Sequence, residues 1–105
     1  MLLIWYYFGV IASFADTITR DLYDGTNSRE ARTIPKPIWP VVVRKLDFLN
    51  AAHALHDLLS PPGNRLEALK GNKKGWHSIR VNDQYRIDFR WSEGNAHDVQ
   101  VTDYH

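Results

Sequence analysis

"YRIDFRW", running from Tyr85 to Trp91, is the cleanest alternation in this 105-residue chain. Successive side chains of a strand point to opposite faces. Tyr85, Ile87, Phe89 and Trp91 therefore share one side, and Arg86, Asp88 and Arg90 share the other. One face is apolar and the other charged, as in a sheet packed on one side and open on the other.

The same pattern extends outward. Upstream, "WHSIRVN" places Ile79 and Val81 on one face, with Ser78 and Arg80 opposite. By the same parity His77 belongs with Ile79 on the core side. Asn82-Asp83 and Glu93-Gly94-Asn95 read as short polar hairpin connectors. Downstream, "AHDVQVTDY" groups Val99, Val101 and Asp103, and His97 shares their parity. "NRLEALKG", before the strands, alternates ambiguously.

Nearer the start the period becomes helical. Asp16 is placed as an N-cap, Ile18 and Leu22 lie one turn apart, and Gly25 follows, predicting a short helix near 17–24. Pro35, Pro37 and Pro40 delay regular structure. From there Ile38, Val42, Leu46, Leu49 and His53 recur at helical spacing, predicting an amphipathic helix to about Ala52. Leu55, Leu58 and Leu59 add an apolar turn that Pro61-Pro62-Gly63 ends. Helices followed by three or four strands predict an α+β fold, an antiparallel sheet of about four strands with helices on one face. No repeat, low-complexity tract or linker divides the chain, so residues 1–105 are expected to form one domain.

Composition narrows the chemistry. The absence of cysteine excludes disulfides, thiolate metal sites and a cysteine nucleophile, and makes a reducing, cytoplasmic setting the expectation. The net charge of +1 is uninformative, but residues 61–91 hold seven basic side chains against three acidic ones. A basic block in a neutral chain points to one face built for an anion. The apolar start, "MLLIWYYFGVIA", is too short to span a bilayer and lacks the basic region and cleavage site of a signal peptide. It reads either as a buried first strand or as sequence outside the domain.

No glycine-rich phosphate loop, nucleophile elbow or metalloprotease helix is present. His53-x-x-His56 has helical spacing but no nearby acid except Asp57, so no metal site is expected there. What remains is a sheet face carrying Arg80, Arg86 and Arg90, the loop "KGNKKG", and the terminal Asp103-Tyr104-His105. Cutting RNA by side-chain chemistry needs a base for the 2′-hydroxyl, an acid for the leaving 5′-oxygen and cations for the phosphorane. Histidine supplies the proton transfers near neutral pH, and arginine supplies charge with two aimed donors. Trp76, Tyr85 and Trp91 are candidate base-stacking residues, although alternating strand aromatics more often belong to a core.

"NRLEALKGNKKGWHSIRVNDQYRIDFRW" followed by "DVQVTDYH" resembles the HigB-type killer proteins of the RelE/ParE toxin superfamily. The shared pattern is a Leu-Lys-Gly loop, a strand with Ser-Ile, a turn, an Arg-Ile strand and a terminal Asp-Tyr-His. The likeness runs from about Ile11 to His105. It implies a RelE-like fold, ribosome-dependent endonucleolytic cleavage of mRNA without a cofactor, and neutralisation by a cognate helix-turn-helix, HigA-like antitoxin. Operator DNA would be engaged indirectly, through the antitoxin complex, and no membrane is involved.

The resemblance also implies site residues. Asp103, Tyr104 and His105 match the catalytic end, and Arg86 matches the arginine that holds the scissile phosphate. Lys70 lies in the matching loop, and Lys73, Lys74, Arg80, Arg65 and Arg90 complete the expected RNA-binding set. Glu67 stands where some ribosome-dependent members carry a catalytic histidine, and a carboxylate acts there as a base, or as an acid only with a raised pKa. Two functions from other classes compete: a ParE-like gyrase-binding toxin without nuclease activity, and a degenerate toxin kept as an antitoxin-binding partner. The resemblance also implies that synthesis starts at Val10, from a GTG codon, leaving residues 1–9 as an upstream extension. A free α-carboxylate on His105 would favour its protonated imidazole, so a C-terminal tag is expected to lower cleavage more than an N-terminal one.

Overall fold

The computed structural model describes residues 9–104. Most of the apolar start and His105 fall outside them, so the expectations made for residues 1–8 and for that imidazole do too. Two α-helices come first, α1 (Thr17–Asp24) and α2 (Trp39–Ala51). Four strands follow: β1 (Glu67–Ala68), β2 (Trp76–Arg80), β3 (Tyr85–Ser92) and β4 (Asn95–Asp103). They form one antiparallel sheet in the order β1-β2-β3-β4.

Both helices begin and end near the predicted positions. The Thr19 amide donates to Asp16 Oδ1 at 2.8 Å, satisfying an otherwise orphaned group of the first turn. Gly25, at φ 78°, ends α1 in the left-handed region, which costs a residue without Cβ little. On α2, Val42, Leu46 and Leu49 are fully buried, as the helical spacing requires. His53 does not continue that stripe; it lies past the helix end, exposed.

The core forms between the helices and one sheet face, with Ile79, Ile87, Phe89 and Val99 at its centre. The Glu93-Gly94 connector has φ of 52° and 78°, the two-residue geometry that matches strand twist. Asn82 Oδ1 accepts from the Gln84 and Tyr85 amides and so closes the other turn.

The outer edge of β4 is covered. Residues 10–15 run parallel to it, bridging Ile11 to Ala96 and Phe14 to Val99. Beyond them the buried Thr19 hydroxyl accepts from the Val101 amide at 2.9 Å. The Tyr104 amide donates to Gln84 O at 2.7 Å, so pairing with the β2–β3 turn continues past the strand's end. Tyr104 is thus tied to the sheet by its own backbone.

One parity expectation is corrected. Between Asp88↔Gln100 and Arg90↔His97, β3 advances two residues while β4 advances three, a bulge with Asp98 at φ 53°. The extra residue moves His97 off the parity of Val99 and onto the face of Arg90. Ala96 takes the core position instead.

Candidate active site

With the helices on one face, the other carries rows of paired side chains. Glu67, Ser78, Asp88 and Gln100 form one row across the four strands, and Arg80, Arg86 and Thr102 form the next. Arg86 is held on three acceptors. Its Nε donates to Ser78 Oγ at 2.7 Å, and one terminal nitrogen donates to Arg65 O at 2.6 Å and to Ser78 O at 3.2 Å. These bonds fix the guanidinium plane and leave the remaining N–H groups to aim a fork at an anion.

Tyr104 returns over this arginine. Its ring centroid lies 5.9 Å from Arg86 Cζ, and its hydroxyl donates to Asp88 Oδ1 at 2.9 Å. Burial, followed by the Asp88 hydrogen bond and charge, pushes the Tyr104 phenol up to about 12. Asp88 itself is only 2% exposed. Burial raises its pKa, although Tyr104, Lys73, Thr102 and Arg86 all favour the carboxylate.

Alternation correctly put Asp88 on the face opposite the core, but it is covered there, not solvated. No sequence motif singled it out, yet it joins Tyr104 to Lys73 at the centre of the site. The available signal was its place: an acid between two arginines on a basic face.

Lys73 arrives from the turn Gly71–Lys73. Its Nζ lies 4.0 Å from the Trp76 ring centroid and 4.0 Å from Asp88 Oδ2. Trp76 thus carries a cation on its face. Lys70, Lys73, Asp88, Gln100 and Tyr104 line an open cleft of about 540 Å³.

The other named residues are placed more loosely. Asp103 shares parity with Val101 and pairs with Tyr85 in register; its carboxylate accepts from Gln84 Nε2 at 3.2 Å, though it too borders the cleft. Glu67 is exposed on β1, in the row of Asp88 but separated from it by β2. Arg65 contributes its carbonyl to Arg86, and Lys74 is exposed. Arg80 is bound to Asp83 and Arg90 lies 3.6 Å from Asp98, so both charges are partly answered by carboxylates. His77 stacks on Phe89 with its Nδ1 buried and unbonded, and burial lowers its pKa. It belongs to the core side, as its parity predicts. Among the described residues no cluster of acids and histidines could hold a metal ion, and no helix is long and apolar enough to cross a membrane.

Helices on one side of a small antiparallel sheet, and an arginine-centred cluster on the other, define an α+β protein of RelE-like fold. The family model described as RelE-like toxin of type II toxin-antitoxin system HigB matches residues 12–105. The chain is 48% identical over 83 residues to Toxin HigB-1 of Vibrio cholerae, covering 79% of this chain and 85% of that protein. An uncharacterized protein of Haemophilus influenzae is 36% identical over 79 residues, or 75% and 74% of the two chains. The chain belongs to the HigB-like family, the toxins of a class of type II toxin–antitoxin systems, and membership implies an antitoxin partner.

Proposed function

We propose that this toxin stops translation by cutting mRNA on the ribosome, through attack of a ribose 2′-hydroxyl on the adjacent phosphate. The observation that carries this reading is the anchored Arg86 guanidinium beside Tyr104, whose side chain shares a cleft with Lys70 and Lys73. A fixed fork of donors stabilises a phosphorane better than a mobile cation, because no reorganisation is needed as charge develops.

In this reading Arg86 holds the scissile phosphate, and Lys70 and Lys73 hold its neighbours. Lys74, Arg65, Arg80 and Arg90 supply a weaker field around them. His105 follows Tyr104 directly and is assigned a proton transfer to the leaving 5′-oxygen. Asp103 orients the chain end, and Glu67, exposed on β1, is a candidate base outside the cleft's lining. The products are a 2′,3′-cyclic phosphate and a 5′-hydroxyl. The toxin works in the cytoplasm, where ribosomes are. Its partner is a helix-turn-helix antitoxin of HigA type, which carries the complex to operator DNA.

Purified toxin mixed with translating ribosomes, followed by mapping of mRNA 5′ ends, tests this reading. Wild-type cuts that vanish in Arg86→Ala and His105→Ala support it. No ribosome-dependent cleavage, together with inhibited gyrase supercoiling, overturns it in favour of a gyrase poison.

A further inference from the structure

Asp88 is an anomaly on a face that must receive phosphate. A carboxylate there repels the substrate and loses hydration on burial, yet it sits at the centre of the cluster, 2% exposed. It carries the Tyr104 hydroxyl at 2.9 Å, and that bond has a direction. The phenol proton points inward at Asp88 Oδ1. With the Ser78 side chain also hydrogen-bonded to this oxygen, what Tyr104 can offer the cleft is its remaining lone pair, not a proton. A phenol donating to a carboxylate is a richer acceptor than a free one, because its own proton has somewhere to go.

We propose that Tyr104 and Asp88 act as one proton-accepting pair: the phenol oxygen takes the 2′-hydroxyl proton while its own proton passes to Asp88. This rests on the RNA-cleavage reading and assigns a direction to its proton flow. The O2′–H bond breaks as a new Oη–H bond forms, and the original Oη–H bond breaks as Oδ1–H forms. O2′ then bonds to phosphorus and the P–O5′ bond breaks, the leaving oxygen taking a proton from His105. Asp88 ends neutral as the phosphorane gains charge, which removes a repulsion when it matters most. Solvent exchange returns the proton from Asp88 to His105.

Tyr104 touches the substrate and is the catalytic member; Asp88 acts through it. Burial has already lifted the Asp88 carboxyl above its usual range, bringing its proton affinity closer to what a base needs. Lys73 and Arg86 face it and hold the ionised form before the reaction.

The test measures single-turnover cleavage on ribosome-bound mRNA for wild type, Asp88→Asn, Asp88→Glu, Tyr104→Phe and the Asp88→Asn/Tyr104→Phe double variant. Binding of an RNA with a 2′-deoxyribose at the cut site is measured for each. Asparagine keeps an acceptor for the phenol, so the geometry is retained while the proton has no base to reach. Loss of a general base predicts a fall of about 100-fold or more for Asp88→Asn, with analogue binding no weaker than wild type because a repelling charge is gone. Tyr104→Phe, a change at an exposed side chain, falls as far; the double variant falls no further than either, and Asp88→Glu recovers part of the rate. Cleavage by Asp88→Asn within about threefold of wild type overturns the pair and leaves the RNA-cleavage reading standing. Multiplying losses in the double variant overturn it too. A wild-type protein that cuts nothing overturns both.

Discussion

The guanidinium of Arg86 donates to the main-chain carbonyl of Arg65 at 2.6 Å, tying the start of β3 to a loop 21 residues earlier. Arg65 presents that carbonyl from a left-handed conformation, φ 46°, with its own amide on Pro62 O. The loop's shape therefore sets where the arginine points. Arg86→Lys tests the value of that aim. An ammonium keeps the charge but cannot donate to Ser78 Oγ and Arg65 O while presenting a planar fork outward. Cleavage on ribosomes should fall about 100-fold, the loss typical of one preorganised donor. The thermal midpoint should fall by no more than about 8 °C, what about 1 kcal/mol produces in a domain this size. Near-normal cleavage by the lysine variant would show that charge alone suffices.

Behind Arg65 stands Asn64, fully buried, whose Nδ2 donates to Leu58 O at 3.2 Å and Ser60 O at 3.3 Å. Its Oδ1 accepts from Lys45, a buried lysine whose pKa burial lowers, with Arg44 and Arg80 adding to the effect. Asn64→Ala strips two carbonyls and an ammonium of partners at once. Unpaired buried groups cost about 1–3 kcal/mol each, so the melting temperature should drop by about 10 °C or more. Adding Lys45→Met removes the stranded charge and should recover part of the loss. An unchanged melting temperature in the single variant would mean that water replaces Asn64 freely.

The strands, both helix boundaries and the apolar face were legible because period and capping are local. Cover was not. Alternation placed Asp88 correctly opposite Phe89, but its burial depends on Tyr104 folding back from 16 residues away. His97 was misplaced because Asp98 adopts a conformation that pairing imposes on a non-glycine residue. The Arg65 carbonyl left no trace in side-chain chemistry. Arg86 and Tyr104 were named in advance and do meet, as do Lys70 and Lys73 at one cleft. Arg80 and Arg90 share the face, but each has a carboxylate of its own.

The buried carboxylate also sets a dependence of stability on pH. The Asp88 pKa is raised in the folded protein, so folding favours its protonated form. The penalty for burying the charge is fully present above the folded pKa. It is relieved as pH falls through that value, and is gone below the ordinary carboxylate range. Asp88→Asn should therefore melt higher than wild type at pH 7, with the gap closing as pH falls toward 4. A gap that stays constant, or widens in acid, would mean that the Lys73 and Tyr104 contacts outweigh burial.

Charge placement separates the lysines from the arginines. Lys73 stands over Trp76 beside the cleft with Asp88 no nearer than 4.0 Å, whereas Arg80 is hydrogen-bonded to Asp83 at the turn. Affinity for single-stranded nucleic acid falls with salt with a log–log slope of about 0.7 per phosphate contact. Measured with a 2′-deoxy analogue over a range of salt, Lys73→Ala should therefore reduce the slope by about 0.7. Arg80→Ala should reduce it by less, because Asp83 already answers much of its charge. Equal reductions would mean that RNA reads the face as a diffuse field. Only a difference between the two variants supports a track that runs from the Lys70–Lys73 turn across Arg86.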